Sequence, residues 1–344
     1  MKILAIETSC DETAIAVLEV TETNDIKILA NVISSQIALH AQYGGVVPNL
    51  ASREHVKNIK HVFESALKEA KLKIEDIDLI AVTHGPGLGP SLLVGLTFAK
   101  TLAWQYEKPI IGVNHMDGHV HSNWLELERL MPDFPLLNLV VSGGHTEIVL
   151  IRSHGNYEIL GETLDDAVGE AFDKVARLLS LGYPGGPAIS KLAESGDANR
   201  FPLPSPMAKS KDYNFSYSGL KTAVLYLLRN LGERGNDEQV KADIAASFQK
   251  SAVNVLIDKT IRAAKEHQVN GILLSGGVSA NKLLREKLHI AATELGLPFF
   301  CPKMIYTTDN AAMIGAAGYF KWIAQTKPNA SWKDVRMDAN LRLS

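Results

Sequence analysis

The chain has 344 residues, 46% of them hydrophobic and 21% charged, with a formal net charge of -3. That composition excludes wholesale disorder and a fibrous repeat, and no apolar run approaches the roughly 18–20 residues that span a bilayer. At about 100–200 residues per domain the length fits two domains. With Glu7 breaking the opening apolar run and only Cys10 and Cys301 present, neither an export signal nor a disulfide framework is expected, so a reducing cytoplasm fits best.

In chain order, residues 2–18 are an apolar run, a tip of small polar residues (Glu7 to Thr13) and a second apolar run, the pattern of a β-hairpin. Over 52–70, Val56, Ile59, Phe63, Ala66, Leu67 and Ala70 recur at spacings of three and four and predict a helix. Ile80 to Val82 reads as a buried strand, and Gly85 to Pro90 as a structural turn. The helix expected over 91–106 is apolar nearly all round and needs cover from the core or a partner chain. A strand over 109–113 then leads into His115. A second hairpin follows over 136–150, then a helix over about 165–181 and a Pro/Gly turn at 183–187. A long loop over 201–219 carries Lys209 and Lys211, and a helix over about 236–267 precedes a strand over 271–274 and another glycine turn. Alternating strands and helices make the class α/β. The repeated hairpin suggests two similarly built halves.

Two glycine turns invite a ligand. Val141-Ser142-Gly143-Gly144-His145 sits at the second hairpin tip, and Ser275-Gly276-Gly277 lies between a strand and a helix. Glycine lets backbone amides approach an anion closely, and a following helix adds its positive end. Each alone reads more readily as a simple tight turn, but three turns, counting the Glu7 to Thr13 tip, that could converge between two halves make nucleotide binding the better reading. The commoner nucleotide signatures are missing: Pro90 occupies the last glycine position of a G-x-G-x-x-G, and no P-loop occurs.

His115 and His119 stand at i and i+4, on one face of a helix, and can share a metal ion. A metalloprotease would carry Glu beside the first histidine as its base, but Met116 stands there. Asp309 is the best third ligand, although it suits a plain helix N-cap equally well. Two histidines and a carboxylate suit Fe(II) or Zn(II). The acidic stretch from Asp165 to Lys174 is expected in and after the first turn of its helix, as a solvated face or with Asp173 reaching a ligand hydroxyl.

Taken together, the Ile6 to Thr13 tip, Tyr43 to Arg53, His115 with His119, Val141 to Thr146, Asp165 to Lys174, Tyr183 to Pro187, Phe215 to Thr222 and Ser275 to Asn281 closely resemble the bacterial TsaD family over essentially the whole chain. These are tRNA N6-adenosine threonylcarbamoyltransferases, formerly labelled O-sialoglycoprotein endopeptidases. The resemblance implies an actin-like ATPase (ribonuclease H-like) fold, two duplicated α/β domains flanking a nucleotide cleft. The halves are expected over 1–114, completed by 310–344, and over 115–309, the second carrying the metal and adenylate sites. The implied reaction moves the threonylcarbamoyl group of threonylcarbamoyl-adenylate to the N6 amine of adenosine 37, in tRNAs reading codons that begin with A, and releases AMP.

Carried over by motif, His115, His119 and Asp309 are the implied ligands of one divalent ion, Fe(II) by family or Zn(II). Val140, Val141, Ser142, Gly143, Gly144 and His145, with Asp173, Gly186, Ser190, Gly276, Gly277 and Asn281, are the implied adenylate positions. At Ser190 some relatives carry an acidic residue that holds the ribose, and serine weakens that contact. Asp11, at the first tip, is the expected proton acceptor. Lys209, Lys211 and Lys221 are candidate tRNA phosphate contacts. A homologous TsaB-type subunit, docked on the helices over 52–70 and 91–106, and a TsaE-type P-loop ATPase are the implied partners. A metalloprotease or an actin-like kinase or ATPase is the alternative reading.

Overall fold

The computed structural model describes residues 1–127, 129–324 and 331–343. The chain forms two compact units, one of Met1–Met131, His154–Tyr157 and Pro302–Ser344, the other of Pro132–Ser153 and Glu158–Cys301.

The first unit begins with strands β1 (Lys2–Glu7), β2 (Glu12–Val20) and β3 (Ile26–Ser35), then helices α1 (Ile37–Ala41) and α2 (Pro48–Ala70). Strand β4 (Leu79–Gly85), helix α3 (Gly89–Gln105), strand β5 (Ile110–Asn114) and helix α4 (His115–His121) follow. The sheet order is β3-β2-β1-β4-β5, with β1 antiparallel to β2 and parallel to β4. Leu4, Ile6, Ile15, Val17, Ile80 and Val82 form one core with Ile59, Val62 and Ala66 of α2 and Leu96 and Ala99 of α3. Both sheet faces are covered, so β1 is buried at every residue after Lys2, which is why it reads as an unbroken apolar run rather than an alternating one.

The second unit repeats the plan. Strands β6 (Leu136–Val141), β7 (Thr146–Ser153) and β8 (Asn156–Glu162) precede helices α5 (Val168–Leu178), α6 (Gly185–Ala193), α7 (Ser218–Leu231) and α8 (Glu238–Glu266). Strand β9 (Ile272–Ser275), helix α9 (Lys282–Glu294) and the short strand β10 (Phe299–Phe300) complete it. Its order, β8-β7-β6-β9-β10, matches the first sheet strand for strand in chain sequence. Again the hairpin is antiparallel (β6 with β7) and the later strands join in parallel (β9 on β6, β10 on β9). The two halves expected from the repeated hairpin are therefore duplicates in topology.

Helix α10 (Ala311–Ala324) returns to the first unit and covers the other face of its sheet. Two small positions let it approach: a Cβ on Gly315 would stand 2.4 Å from Leu18 Cδ1, and one on Gly318 2.7 Å from Ala81 Cβ. Of the stretch 310–344 expected to complete the first half, residues 325–330 and 344 lie outside the described residues.

Several boundaries differ from the sequence reading. Helix α2 starts at Pro48, not at 52, because proline at the first helical position gives up an N–H that has no partner there anyway. Gly89 and Pro90, read as the end of a turn, open α3, and Gly185 to Pro187, read as a turn, open α6. Asp165 and Asp166 stand before α5 rather than in its first turn. Helix α4, placed by the sequence in the second half, belongs to the first unit. It packs on α10, where a Cβ on Gly118 would stand 2.6 Å from Ile314 Cδ1.

Candidate functional site

In the first unit β5 runs directly into α4, whose start is capped by Asn114, its side-chain oxygen accepting from the Met116 N–H at 2.8 Å. The turn thus delivers His115 and His119 to one face. The cap of α10 answers the question left open at Asp309. Asn310 is the residue whose Oδ1 accepts from the Met313 N–H (3.1 Å), so Asp309 is not spent on capping. Its Oδ1 lies 3.5 Å from His115 Nε2 and 3.3 Å from His119 Nε2, and one ligating atom from each of the three residues falls within 4.8 Å of the others.

The donor set fits a divalent metal on a second ground. His119 is 1% exposed, its Nδ1 has no hydrogen-bond partner, and its Nε2 faces Asp309 Oδ1 at 3.3 Å without hydrogen-bond geometry. A buried imidazole with no hydrogen bond is costly, and a metal ion relieves it. Behind the pair stands Glu7, fully buried at the end of β1. Its Oε2 lies 2.9 Å from His115 Nδ1 and accepts from Thr83 Oγ1 at 2.7 Å, and its Oε1 accepts from the Ser9 N–H. A carboxylate on Nδ1 fixes the tautomer that turns Nε2 toward the ligand position. Burial opposes charge on His115, but Asp309 and then Glu7 outweigh it and raise the imidazole well above its usual range. Burial likewise opposes ionisation of Asp309, yet His115 and His119 hold its carboxyl far below the usual carboxylate range.

The first hairpin tip carries Cys10, Asp11 and Glu12. Asp11 is 7% exposed, and the Glu12 carboxylate beside it accepts from Ser35 Oγ at 3.2 Å. Burial, then the charge of Asp309, then Asp11 push the Glu12 carboxyl well above the usual carboxylate range. The tip is held from behind by His55 of α2, with Nε2 3.0 Å from the Cys10 carbonyl and Nδ1 2.7 Å from Thr13 Oγ1.

In the second unit the glycine corner is built where β6 and β9 end. Gly276 has φ of +87°, and a Cβ there would stand 2.3 Å from the Val141 carbonyl oxygen. A Cβ on Gly169, in the first turn of α5, would stand 2.5 Å from the Ser142 carbonyl oxygen. The turn between β6 and β7 closes through Ser142, whose N–H donates to the His145 carbonyl at 2.9 Å and whose Oγ accepts from the His145 N–H at 3.1 Å. Gly143, Gly144 and Gly277, in contrast, have open space where a side chain would be. Val140 and Val141 are fully buried, so what they offer a ligand is backbone.

The remaining expected adenylate residues form one polar line. Asp173 Oδ1 accepts from the Gly185 N–H at 2.7 Å, and Ser190 Oγ donates to the Gly186 carbonyl at 2.9 Å. Asn281 Nδ2 reaches Ser190 Oγ at 2.9 Å and Gln249 Oε1 at 2.8 Å, while its Oδ1 caps α9. Gln249 is 9% exposed within the 29-residue helix α8 and had no motif to mark it. Glu7 and Thr83 were also missed as supports, because nothing in sequence ties β1, which lies over a hundred residues from His115, or the Thr83 that holds its carboxylate, to that histidine.

Asp165 is exposed, as expected of a solvated face, but it stands before the helix and is fastened to the loop that ends at α7. It accepts from Ser216 Oγ and Ser218 Oγ, both at 2.5 Å, and from the Tyr217 N–H at 2.8 Å, anchoring the end of the long loop. That loop is gripped further by buried Lys259, whose Nζ donates to Ser210 Oγ at 2.8 Å, and by Arg262, which donates to the Ser210 carbonyl at 2.8 Å. Lys209 and Lys211 are exposed on it, and Lys221 is half-buried on α7.

The family profile described as TsaD, tRNA N6-adenosine threonylcarbamoyltransferase, matches residues 27–316. A protein of that name from Thermosipho africanus (strain TCF52B) is 53% identical over 319 residues, covering 93% of this chain and 94% of its own length. Another from Clostridium botulinum (strain Kyoto / Type A2) is 48% identical over 343 residues, 100% of this chain and 98% of its own. Among solved structures, T. kodakarensis HypF superposes with a TM-score of 0.64 at 14% identity over 94% of this chain. Full-length HypF in the phosphate- and nucleotide-bound form gives 0.60 at 16%, also over 94%. The chain spans about half the length of those two structures (48% and 47%), and at such identity the likeness is one of fold, the actin-like, ribonuclease H-like α/β duplication. Among the described residues no helix is long and apolar enough to cross a membrane.

Proposed function

The chain belongs to the TsaD family of tRNA N6-adenosine threonylcarbamoyltransferases, and from that premise we propose that it transfers the threonylcarbamoyl group of threonylcarbamoyl-adenylate to N6 of adenosine 37 in tRNAs reading codons that begin with A. AMP leaves. The near-full-length family match carries this reading. Neither alternative is favoured by it, and Met116 in place of a hydrolytic glutamate speaks against a protease.

His115, His119 and Asp309 would hold a divalent ion, Fe(II) or Zn(II), which when bound supplies Lewis-acid polarisation of a substrate oxygen. Glu7 keeps His115 turned toward that position. In the second unit, the amides of Gly143, Gly144, Gly276 and Gly277 stabilise the phosphate as AMP departs, where the space over three of these glycines is open. The line of Asp173, Gly186, Ser190 and Asn281 holds the nucleoside part. The adenosine amine attacks the carbamoyl carbon, the bond to the phosphate oxygen breaks, and Asp11 accepts the amine proton. Asp11 stands at the buried first tip, beside Glu12. The target base must leave its stack to react, and Lys209, Lys211 and Lys221 are the proposed phosphate contacts.

The same reading supplies the partners: a homologous TsaB-type subunit, and a TsaE-type P-loop ATPase for a chain that has no P-loop of its own. Val56 and Ile59 of α2 with Leu93, Val94 and Phe98 of α3 line an open apolar groove of about 430 Å³, which supports α2 and α3 as the docking face of the first partner. A tRNA substrate puts the work in the cytoplasm. To test the reaction, the purified chain and its partners are mixed with tRNA and adenylate labelled in the threonylcarbamoyl group, and the tRNA is digested to nucleosides. Label on adenosine is expected. Label left on adenylate, or moved to water or protein while the partners are active, refutes the transfer.

A further inference from the structure

Helix α4 turns about 100° per residue, so Asp117 and His121 lie on the side opposite to His115 and His119. Both are buried (7% and 1% exposed), and neither has a part in the chemistry above. They are held by His154, from the tip between β7 and β8, and Tyr157, at the start of β8, both in the first unit. The Tyr157 hydroxyl donates to Asp117 Oδ1, and the same oxygen lies 2.8 Å from His121 Nδ1. His121 Nε2 lies 3.0 Å from His154 Nδ1, with one proton between them. The His154 ring stacks on Phe320 of α10 at 3.8 Å and 10°. A continuous line therefore runs from the tip, through the back of the helix that bears two histidines, to the helix that follows Asp309. Burial and then His121 push the His154 imidazole down to about 3, and burial and then Asp117 keep the proton on the Tyr157 hydroxyl.

A buried polar line of this kind is expensive compared with an apolar filling of the same space. What it adds is direction, since hydrogen bonds fix the rotation of a helix where apolar contacts tolerate slippage. We propose that His154 and Tyr157 are positioning residues for the metal centre, clamping α4 in the rotation that brings His115 and His119 to bear on Asp309. The proposal rests on the metal reading given above.

The test uses the full chain with Co(II) and Zn(II) as probes, against a competing chelator, for wild type, Tyr157→Phe, His154→Ala, His154→Asn and His119→Ala. Tyr157→Phe and His154→Ala are expected to weaken metal binding about tenfold and to alter the visible Co(II) spectrum. His154→Asn, which keeps a donor near Nδ1, recovers part of the loss. The melting temperature of the metal-free protein does not follow the same order. Wild-type affinity and spectrum in Tyr157→Phe and His154→Ala overturn the proposal, as does an affinity loss that tracks lowered melting. If His154→Ala does not fold, Tyr157→Phe, which removes one oxygen, decides alone. His119→Ala separates the two layers: if it binds Co(II) like wild type, the metal reading falls and the clamp with it. If it loses the ion while Tyr157→Phe keeps it, only the clamp falls.

Discussion

Single atoms decide whether the histidine–aspartate group is a metal centre or a packed ion pair. Glu7 is the cleanest probe because it touches His115 and none of the other expected ligands. Glu7→Gln is expected to lower metal affinity about 10–100-fold, read by chelator competition, and unchanged affinity would show that His115 needs no orienting carboxylate. The two kinds of glycine also part company. Gly276→Ala puts a Cβ into the Val141 carbonyl at positive φ and is expected to cost at least about 1–2 kcal/mol in urea unfolding. Gly143→Ala enters open space, so it should leave stability unchanged and weaken nucleotide binding; equal binding would place the adenylate elsewhere. The i, i+4 spacing made His115 and His119 legible, but Asp309 was not separable from a cap by sequence, because the neighbouring Asn310 can play that part equally well and does.

Elements were readable where one period dominated and not where a loop residue was recruited from a distance. Helix α2 and strand β1 were plain from their apolar spacing, while the two-residue strand β10 carries no periodicity at all. The acidic start expected for α5 looked like dipole compensation and is instead a fastening, in which Asp165 ties Ser216, Tyr217 and Ser218 to the unit. Burial works against ionisation of Asp165, but the bonds from Ser216 and Ser218 lower its carboxyl below the usual range. A lowered value in the folded state means stability that is full above the ordinary carboxylate range and is lost as pH falls through the lowered value. Asp165→Asn should therefore destabilise the protein by about 1 kcal/mol at neutral pH, the side chain being exposed and screened. The gap to wild type should close in acid. Urea unfolding at both pH values checks this, and a gap of the same size in acid contradicts it.

At the scale of the molecule, the duplication was visible in sequence as two hairpins with polar tips, since a hairpin followed by parallel strands is one folding unit used twice. The division between the units was less visible. Helix α4 and the Ser122–Trp124 turn pack on α10, and His154 and Tyr157 bond to α4, which no local pattern records. The apolar groove on α2 and α3 belongs to this scale too. Leu93, 48% exposed, should tolerate Leu93→Asp without loss of melting temperature, while binding of the homologous partner subunit is lost; retained binding would move that interface elsewhere. The account as a whole stands on acyl transfer that depends on the His115, His119 and Asp309 group. Its most direct test is the rate at which label from threonylcarbamoyl-adenylate appears on adenosine 37, measured for wild type and His119→Ala with all partners present. We predict transfer by wild type and a fall of at least about 100-fold, near 3 kcal/mol of barrier, in a variant that melts as wild type does. Equal rates in the two proteins, or no label on adenosine with either, would contradict it.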